Sequence, residues 1–110
     1  MIFVTGPRYA GKKSWVRAQL GLTEAELAAC AVWDVQNLAS GEDIAALAES
    51  LSGRRVVIAT EIGCGIVPMD PAERERREAA GRLSCELARR AETVVRVCCG
   101  LPQLLKGEWP

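Results

Sequence analysis

Four short apolar runs divide the chain at similar intervals, and helical patterns lie between them. The runs are IFVT (2–5), AVWDV (31–35), RVVIAT (55–60) and TVVRVCC (93–99). They are rich in Val and Ile and mostly lack a period of two. Strands buried on both faces of a parallel sheet have this character. The first helical pattern covers 12–20 and stops at Gly21. Thr23 with Glu26 spells a capping box for a short helix, 24–29. Ser40 with Asp43 caps another, in which Ile44, Leu47, Ala48 and Leu51 share one buried face and Gly53 ends the run. The longest opens with Asp70 as N-cap, Pro71 at the first helical position and Glu73 at the third, and reaches about residue 91. Its inner face carries Ala80, Leu83, Leu87 and Ala91, while Glu73–Arg77, Glu78–Arg82 and Glu86–Arg90 pair on its outer face. Strands alternating with helices imply an α/β fold with a mostly parallel sheet of about four strands and right-handed crossovers. The length of 110 residues predicts one domain. Ligands of such sheets bind at the carboxyl ends of the strands.

The glycine loop after the first run lies at such an end. GPRYAGKK (6–13) differs from the phosphate-binding pattern G-x-x-x-x-G-K-[ST] at one position. Gly6 and Gly11 permit positive φ and let backbone N–H groups approach phosphate oxygens, and the helix that follows offers its N-terminus to the same anion. Lys12 is placed to reach the terminal phosphates. The candidate nucleotide-binding residues are therefore Gly6, Pro7, Arg8, Tyr9, Ala10, Gly11, Lys12, Lys13 and Ser14. The competing reading is a structural turn between strand and helix. Lys13 stands where the pattern has the hydroxyl that ligates Mg²⁺, and a protonated lysine cannot ligate it. Ser14 comes one residue late and points about 100° away on a helix. Lys13 either supplies positive charge where the metal would sit or points to solvent.

Two acidic residues fall at other strand ends. Asp34 either helps to hold Mg²⁺ near phosphates or caps the turn beginning at Gln36. Glu61 opens the shaped loop TEIGCGIVP (60–68), and it either positions Mg²⁺ or accepts a proton from a substrate hydroxyl. Both are candidate catalytic and metal residues. Cys64, between the glycines of that loop, reads as a small apolar filler in preference to a nucleophile, which would need a cationic setting. Cys98 and Cys99 read as core.

Composition excludes several classes. Fourteen basic and fourteen acidic side chains cancel, which leaves no electrostatic footprint for nucleic acid. No apolar run approaches the roughly 20 residues that span a bilayer, and nothing at the start reads as a signal peptide; the expectation is a cytoplasmic protein without membrane partners. Five cysteines without a C-x-x-C suggest neither a disulfide framework nor a zinc site. Histidine is absent from the 110 residues, so the usual general base near neutral pH is missing.

The stretch from Thr60 to Gly107 resembles the C-terminal half of the adenosylcobinamide kinase/adenosylcobinamide-phosphate guanylyltransferase family of late cobalamin biosynthesis. Glu61, Gly63, Gly65, Ile66, Val67 and Pro68 match its pattern N-E-V-G-x-G-I-V-P without a gap. Arg77, Gly81, Arg82 and Leu83 follow at its spacing, as do Gly100, Leu101 and Pro102. VTGPRYAGKKS is similar to its VTGGARSGKS, and the strand with Asp34 to its acidic strand. The resemblance implies a P-loop NTPase-like three-layer fold, ATP or GTP bound with Mg²⁺, a cobinamide-type corrinoid as acceptor, and a homo-oligomer. It carries Gly6, Gly11 and Lys12 over as phosphate ligands and Glu61 as a site residue. The segment that bears the family's guanylylated histidine is almost wholly absent, and Ser84 replaces the Asn of G-R-x-N.

Three functions follow. The first is an adenosylcobinamide kinase-type phosphotransferase without the histidine-dependent guanylyl step. Phosphoryl transfer rests on positioning and charge neutralisation and needs no histidine. The second is a catalytically degenerate nucleotide-binding relative acting as a regulator or subunit. The third is a kinase for an unrelated small molecule.

Overall fold

The computed structural model describes residues 1–40, 43–62 and 70–110. Five strands form one sheet: β1 (Ile2–Gly6), β2 (Ala31–Val32), β3 (Val56–Thr60), β4 (Thr93–Cys98) and β5 (Leu101–Lys106), in the order β2-β3-β1-β4-β5. The first four run parallel, with β1 central between β3 and β4. The α-helices are α1 (Lys12–Leu20), α2 (Glu24–Cys30), α3 (Ile44–Leu51) and α4 (Pro71–Arg90).

The sheet has a core on each face, so the molecule has three layers. Along β1, Phe3 faces one core and Val4 the other. The first core packs α3 and α4 through Ile44, Ala48, Leu51, Ala80, Leu83 and Leu87 against Val57 and Val94. The second packs Val16 of α1 and Leu27 of α2 against Ile58, Val95 and Val97. Every residue of β3 is buried, which is why its sequence shows no alternation. For α3 and α4 these are the inner faces that the helical spacing predicts.

The local signals mostly act where they are written. Thr23 and Glu26 close the capping box, and Gly21 ends α1 in the left-handed region. Asp70 caps α4 through Ala72 N, with Pro71 in the first turn. Glu86 pairs with Arg90 as predicted and also takes Arg89.

Three expectations are corrected and one, the mostly parallel sheet of about four strands, is extended. Helix α3 is capped by Asp43, whose carboxylate accepts from Ala46 N at 3.1 Å, and not by Ser40. The predicted strand over 31–35 ends at Val32, because Asp34 turns into the left-handed region (φ 54°) and opens a short 3₁₀ turn, Val35–Leu38. Cys99 is exposed and not core. The sheet has a fifth strand, antiparallel to β4. Cys99 and Gly100 both take positive φ (54° and 74°), as a tight two-residue hairpin requires. Pro102 sits on this edge strand, where a missing N–H is tolerated. Beyond β5, Trp109 packs on Trp15 of α1 with ring centroids 6.3 Å apart.

Candidate functional site

The phosphate-loop sequence lies between β1 and α1 in a conformation its glycines make possible. Gly6 is so close to β4 that an added Cβ would stand 2.1 Å from the carbonyl oxygen of Val97. Gly11 is the N-cap of α1 at φ 88°, a conformation that L side chains rarely adopt. Tyr9 also has positive φ, is almost fully exposed, and carries the Arg8 guanidinium 5.9 Å from its ring centre. The β4–β5 turn braces the loop, with Gly100 N donating to Ala10 O at 2.8 Å.

Lys12 is the first residue of α1 and is buried. Its Nζ curls back over the loop and donates to Pro7 O at 2.7 Å and to Gly6 O at 3.3 Å. Burial pushes its pKa below the usual lysine value, and the negative charges of Asp34 and Glu61 act the other way. A buried cation with two nearby carboxylates and only backbone oxygens as partners stands to gain from a multiply charged anion.

The loop, the start of α1 and the ends of β2 and β3 enclose an open cleft of about 490 Å³. Arg8, Tyr9, Ala10, Gly11, Lys12, Lys13 and Ser14 line it on one side. Trp33, Asp34, Gln36, Asn37, Ile58 and Thr60 line the other. Asp34 thus meets the loop across the cleft, and its side chain makes no capping bond to the 3₁₀ turn after it. The side-chain cap that one of its two sequence readings expects is therefore not made. Lys13 lies over Trp33, with Nζ 4.7 Å from the ring centre. Such a cation–π contact at an exposed site is worth about 0.5–1 kcal/mol.

Glu61 is placed differently. Its backbone N donates to Gly6 O, which seats it beside the loop, but its carboxylate is taken by Arg96 of β4. Arg96 Nε donates to Oε1 at 2.7 Å and Nη2 to Oε2 at 2.9 Å. That bidentate pairing holds the Glu61 pKa below the usual carboxylate value, against the opposing effect of burial and with help from Lys12. The rest of the shaped loop, Gly63 to Pro68 with Cys64, lies outside the described residues.

Sequence reasoning missed Trp33, Gln36, Asn37, Thr60 and Arg96. Gln36 is buried, and its side-chain oxygen accepts from Thr60 N at 2.9 Å, continuing the backbone pairing of β3 beyond the end of β2. Arg96 had a legible signal: it is the single charge in the apolar run TVVRVCC.

Mg²⁺ prefers hard oxygen donors around an octahedron. The cleft lining offers one carboxylate, Asp34, with the hydroxyls of Tyr9, Ser14 and Thr60 and the amides of Gln36 and Asn37, against the cations Arg8, Lys12 and Lys13. Both oxygens of Glu61 are engaged by Arg96. Among the described residues, no group of three or more His, Cys, Asp or Glu gathers in a way that could hold a metal. With one carboxylate facing three cations, this donor set fits Mg²⁺ poorly.

Residues 14–105 match the family described as cobinamide kinase / cobinamide phosphate guanyltransferase. The matched stretch begins one residue after the glycine loop, so the loop's reading rests on its own geometry. The chain is also 40% identical, over 58 residues, to the bifunctional adenosylcobalamin biosynthesis protein CobP of Pseudomonas aeruginosa. That stretch is 53% of this chain and 34% of the relative, so the match spans about a third of the relative's length. No helix among the described residues is long and apolar enough to cross a membrane. With a match over residues 14–105 and an α/β fold to carry it, the chain belongs to the cobinamide kinase / cobinamide phosphate guanyltransferase family.

Proposed function

We propose that this chain binds a nucleoside triphosphate, ATP or GTP, in the cleft and transfers its γ-phosphoryl group to the hydroxyl of adenosylcobinamide. The observation that carries the reading is Lys12, a buried lysine at the first position of α1, held on the carbonyls of its own glycine loop. In the step, the acceptor oxygen forms a bond to the γ-phosphorus, the bond to the β-phosphate oxygen breaks, and the nucleoside diphosphate leaves. Asp34 faces the loop and is the group to orient the attacking hydroxyl and take its proton. Arg8, Lys12 and Lys13 offset the charge of the transferring group. A guanylyl step through histidine has no residue to use among these 110. Family membership and the partial likeness to a bifunctional adenosylcobalamin biosynthesis protein support the corrinoid acceptor. Assembly into a homo-oligomer belongs to the same reading, and light scattering on the purified protein tests it.

A second reading is favoured by two observations, the capture of Glu61 by Arg96 and a lysine at the hydroxyl position of the loop. In it the chain binds nucleotide without transferring phosphate and serves as a subunit or regulator. Incubation with γ-labelled ATP or GTP and adenosylcobinamide separates the two. Labelled corrinoid phosphate, lost with Lys12→Ala, supports the enzyme. Nucleotide binding without label transfer supports the binder, and failure of both nucleotides to bind at millimolar concentration ends both readings.

A further inference from the structure

The cleft has an unusual charge balance for a site expected to receive a metal–nucleotide chelate. Three cationic side chains, Arg8, Lys12 and Lys13, line it against the single carboxylate of Asp34. A divalent cation entering there meets repulsion from three cations of the loop side and finds one carboxylate among the lining residues. A polyphosphate without a metal meets the opposite field. The residue responsible is Lys13, which occupies the position where the loop pattern has its metal-ligating hydroxyl. Lys13 is exposed, so burial does not hold it where it is. Its ammonium is drawn across the mouth of the cleft by the ring of Trp33, 4.7 Å away, and both residues line the cavity. Cation–π contacts at exposed positions are weak, whereas a charge-assisted bond to phosphate is among the stronger polar contacts. An anion in the loop therefore draws Lys13 off the indole.

We propose that the cleft takes the nucleoside triphosphate as the metal-free anion, with Lys13 supplying at the terminal phosphates the positive charge a divalent ion would bring. Trp33 is the seat that keeps that ammonium at the cleft between binding events. Lys12 and Lys13 then divide the work. Lys12 holds phosphate from the floor of the loop, and Lys13 closes on it from the side. The inference rests on the nucleotide reading above and adds to it the chemical form of the ligand and the residue that selects it.

The test is calorimetric titration of the full chain with ATP, and separately GTP, once in EDTA and once in excess MgCl₂. The expected result is tighter binding in EDTA, because magnesium removes the metal-free anion from solution. Lys13→Thr, an exposed and conservative site for folding, should weaken binding in EDTA by about tenfold or more. The same substitution should make binding tighter with magnesium than without. Saturating nucleotide should also change tryptophan emission in the wild type but not in Trp33→Phe, whose remaining indoles are Trp15 and Trp109. Binding by the wild type only in the presence of magnesium overturns the inference and leaves the nucleotide reading standing. Equal EDTA affinities for wild type and Lys13→Thr overturn it as well. No binding in either buffer overturns both together.

Discussion

Arg96 grips Glu61 at both carboxylate oxygens, with Nε 2.7 Å from Oε1 and Nη2 2.9 Å from Oε2. The pair links β4 to the end of β3 across the central strand β1, because the sheet order places β1 between them. Glu61 N also donates to Gly6 O, so the same residue anchors the start of the glycine loop. The acidic residue of the motif thus builds the floor under the phosphate loop, and any chemical use of its carboxylate has to compete with the guanidinium.

This pairing sets a pH dependence. The Glu61 pKa is lowered in the folded protein from an ordinary value of 4.5, chiefly by its hydrogen bonds to Arg96. A lowered carboxylate stabilises the fold fully above the unfolded value and loses that contribution as pH falls through the folded one. Glu61→Gln should therefore lower stability at neutral pH by about 1 kcal/mol, a figure reduced from a buried charged bond because the pair is partly exposed. The gap between wild type and variant should narrow once pH drops below 4.5. Thermal melts across pH check it. A gap that persists unchanged well into acid would show that the ionised carboxylate is not what stabilises this region.

The two glycines of the loop should fail for different reasons. At Gly6 an added Cβ meets the backbone carbonyl oxygen of Val97 at 2.1 Å, and the two residues lie on the neighbouring strands β1 and β4. Gly6→Ala should cost about 3 kcal/mol or more through this overlap. At Gly11 the nearest atom to a methyl would be 3.8 Å away, an ordinary contact, and only the φ of 88° resists. Gly11→Ala should cost about 1–2 kcal/mol. Chemical denaturation of the two variants compares them directly, and equal losses would contradict the packing at Gly6.

The parallel strands and four helices were legible because burial on both faces and capping residues leave strong local signals. Val56 to Ile58 could hardly be anything but interior strand, and Thr23 with Glu26 formed the box their spacing spells. The misses have a common cause: they depend on tertiary placement. The end of β2 at Val32 follows from the left-handed turn at Asp34, which propensity does not reveal. Strand β5 is exposed along most of its length and contains Pro102, so neither alternation nor composition marks it. Of the residues that motif and strand-end logic singled out, Arg8 to Ser14 and Asp34 line one cleft, while Gly6, Pro7 and Glu61 do not line it. Trp33 and Gln36 were not, since their roles arise from what β3 and α1 bring opposite them.

The cap of α3 gives a direct check on one corrected boundary. Asp43 accepts from Ala46 N, while Ser40 stands three residues earlier in the sequence. Asp43→Ala should destabilise the protein by about 1 kcal/mol, and Ser40→Ala should change it little. Parallel urea melts of the two variants decide the matter. The reverse ranking would return the helix start to the serine.

Lys12 should separate function from stability. Its burial disfavours the charged form, and its Nζ bonds reach carbonyls of which one, Gly6 O, also receives Glu61 N. Lys12→Met keeps the apolar stem, removes a desolvated charge and leaves Gly6 O partnered. Its unfolding midpoint should match or exceed the wild type. Nucleotide affinity, on the proposed reading, should fall by about a hundredfold, the value of a strong charge-assisted contact. Calorimetric titration alongside a thermal melt gives both numbers on one sample. A variant that binds nucleotide as well as the wild type would remove Lys12 from the phosphate site. One that melts far below it would mean the lysine is there to hold the loop, because the carbonyls of Gly6 and Pro7 would then be its main partners.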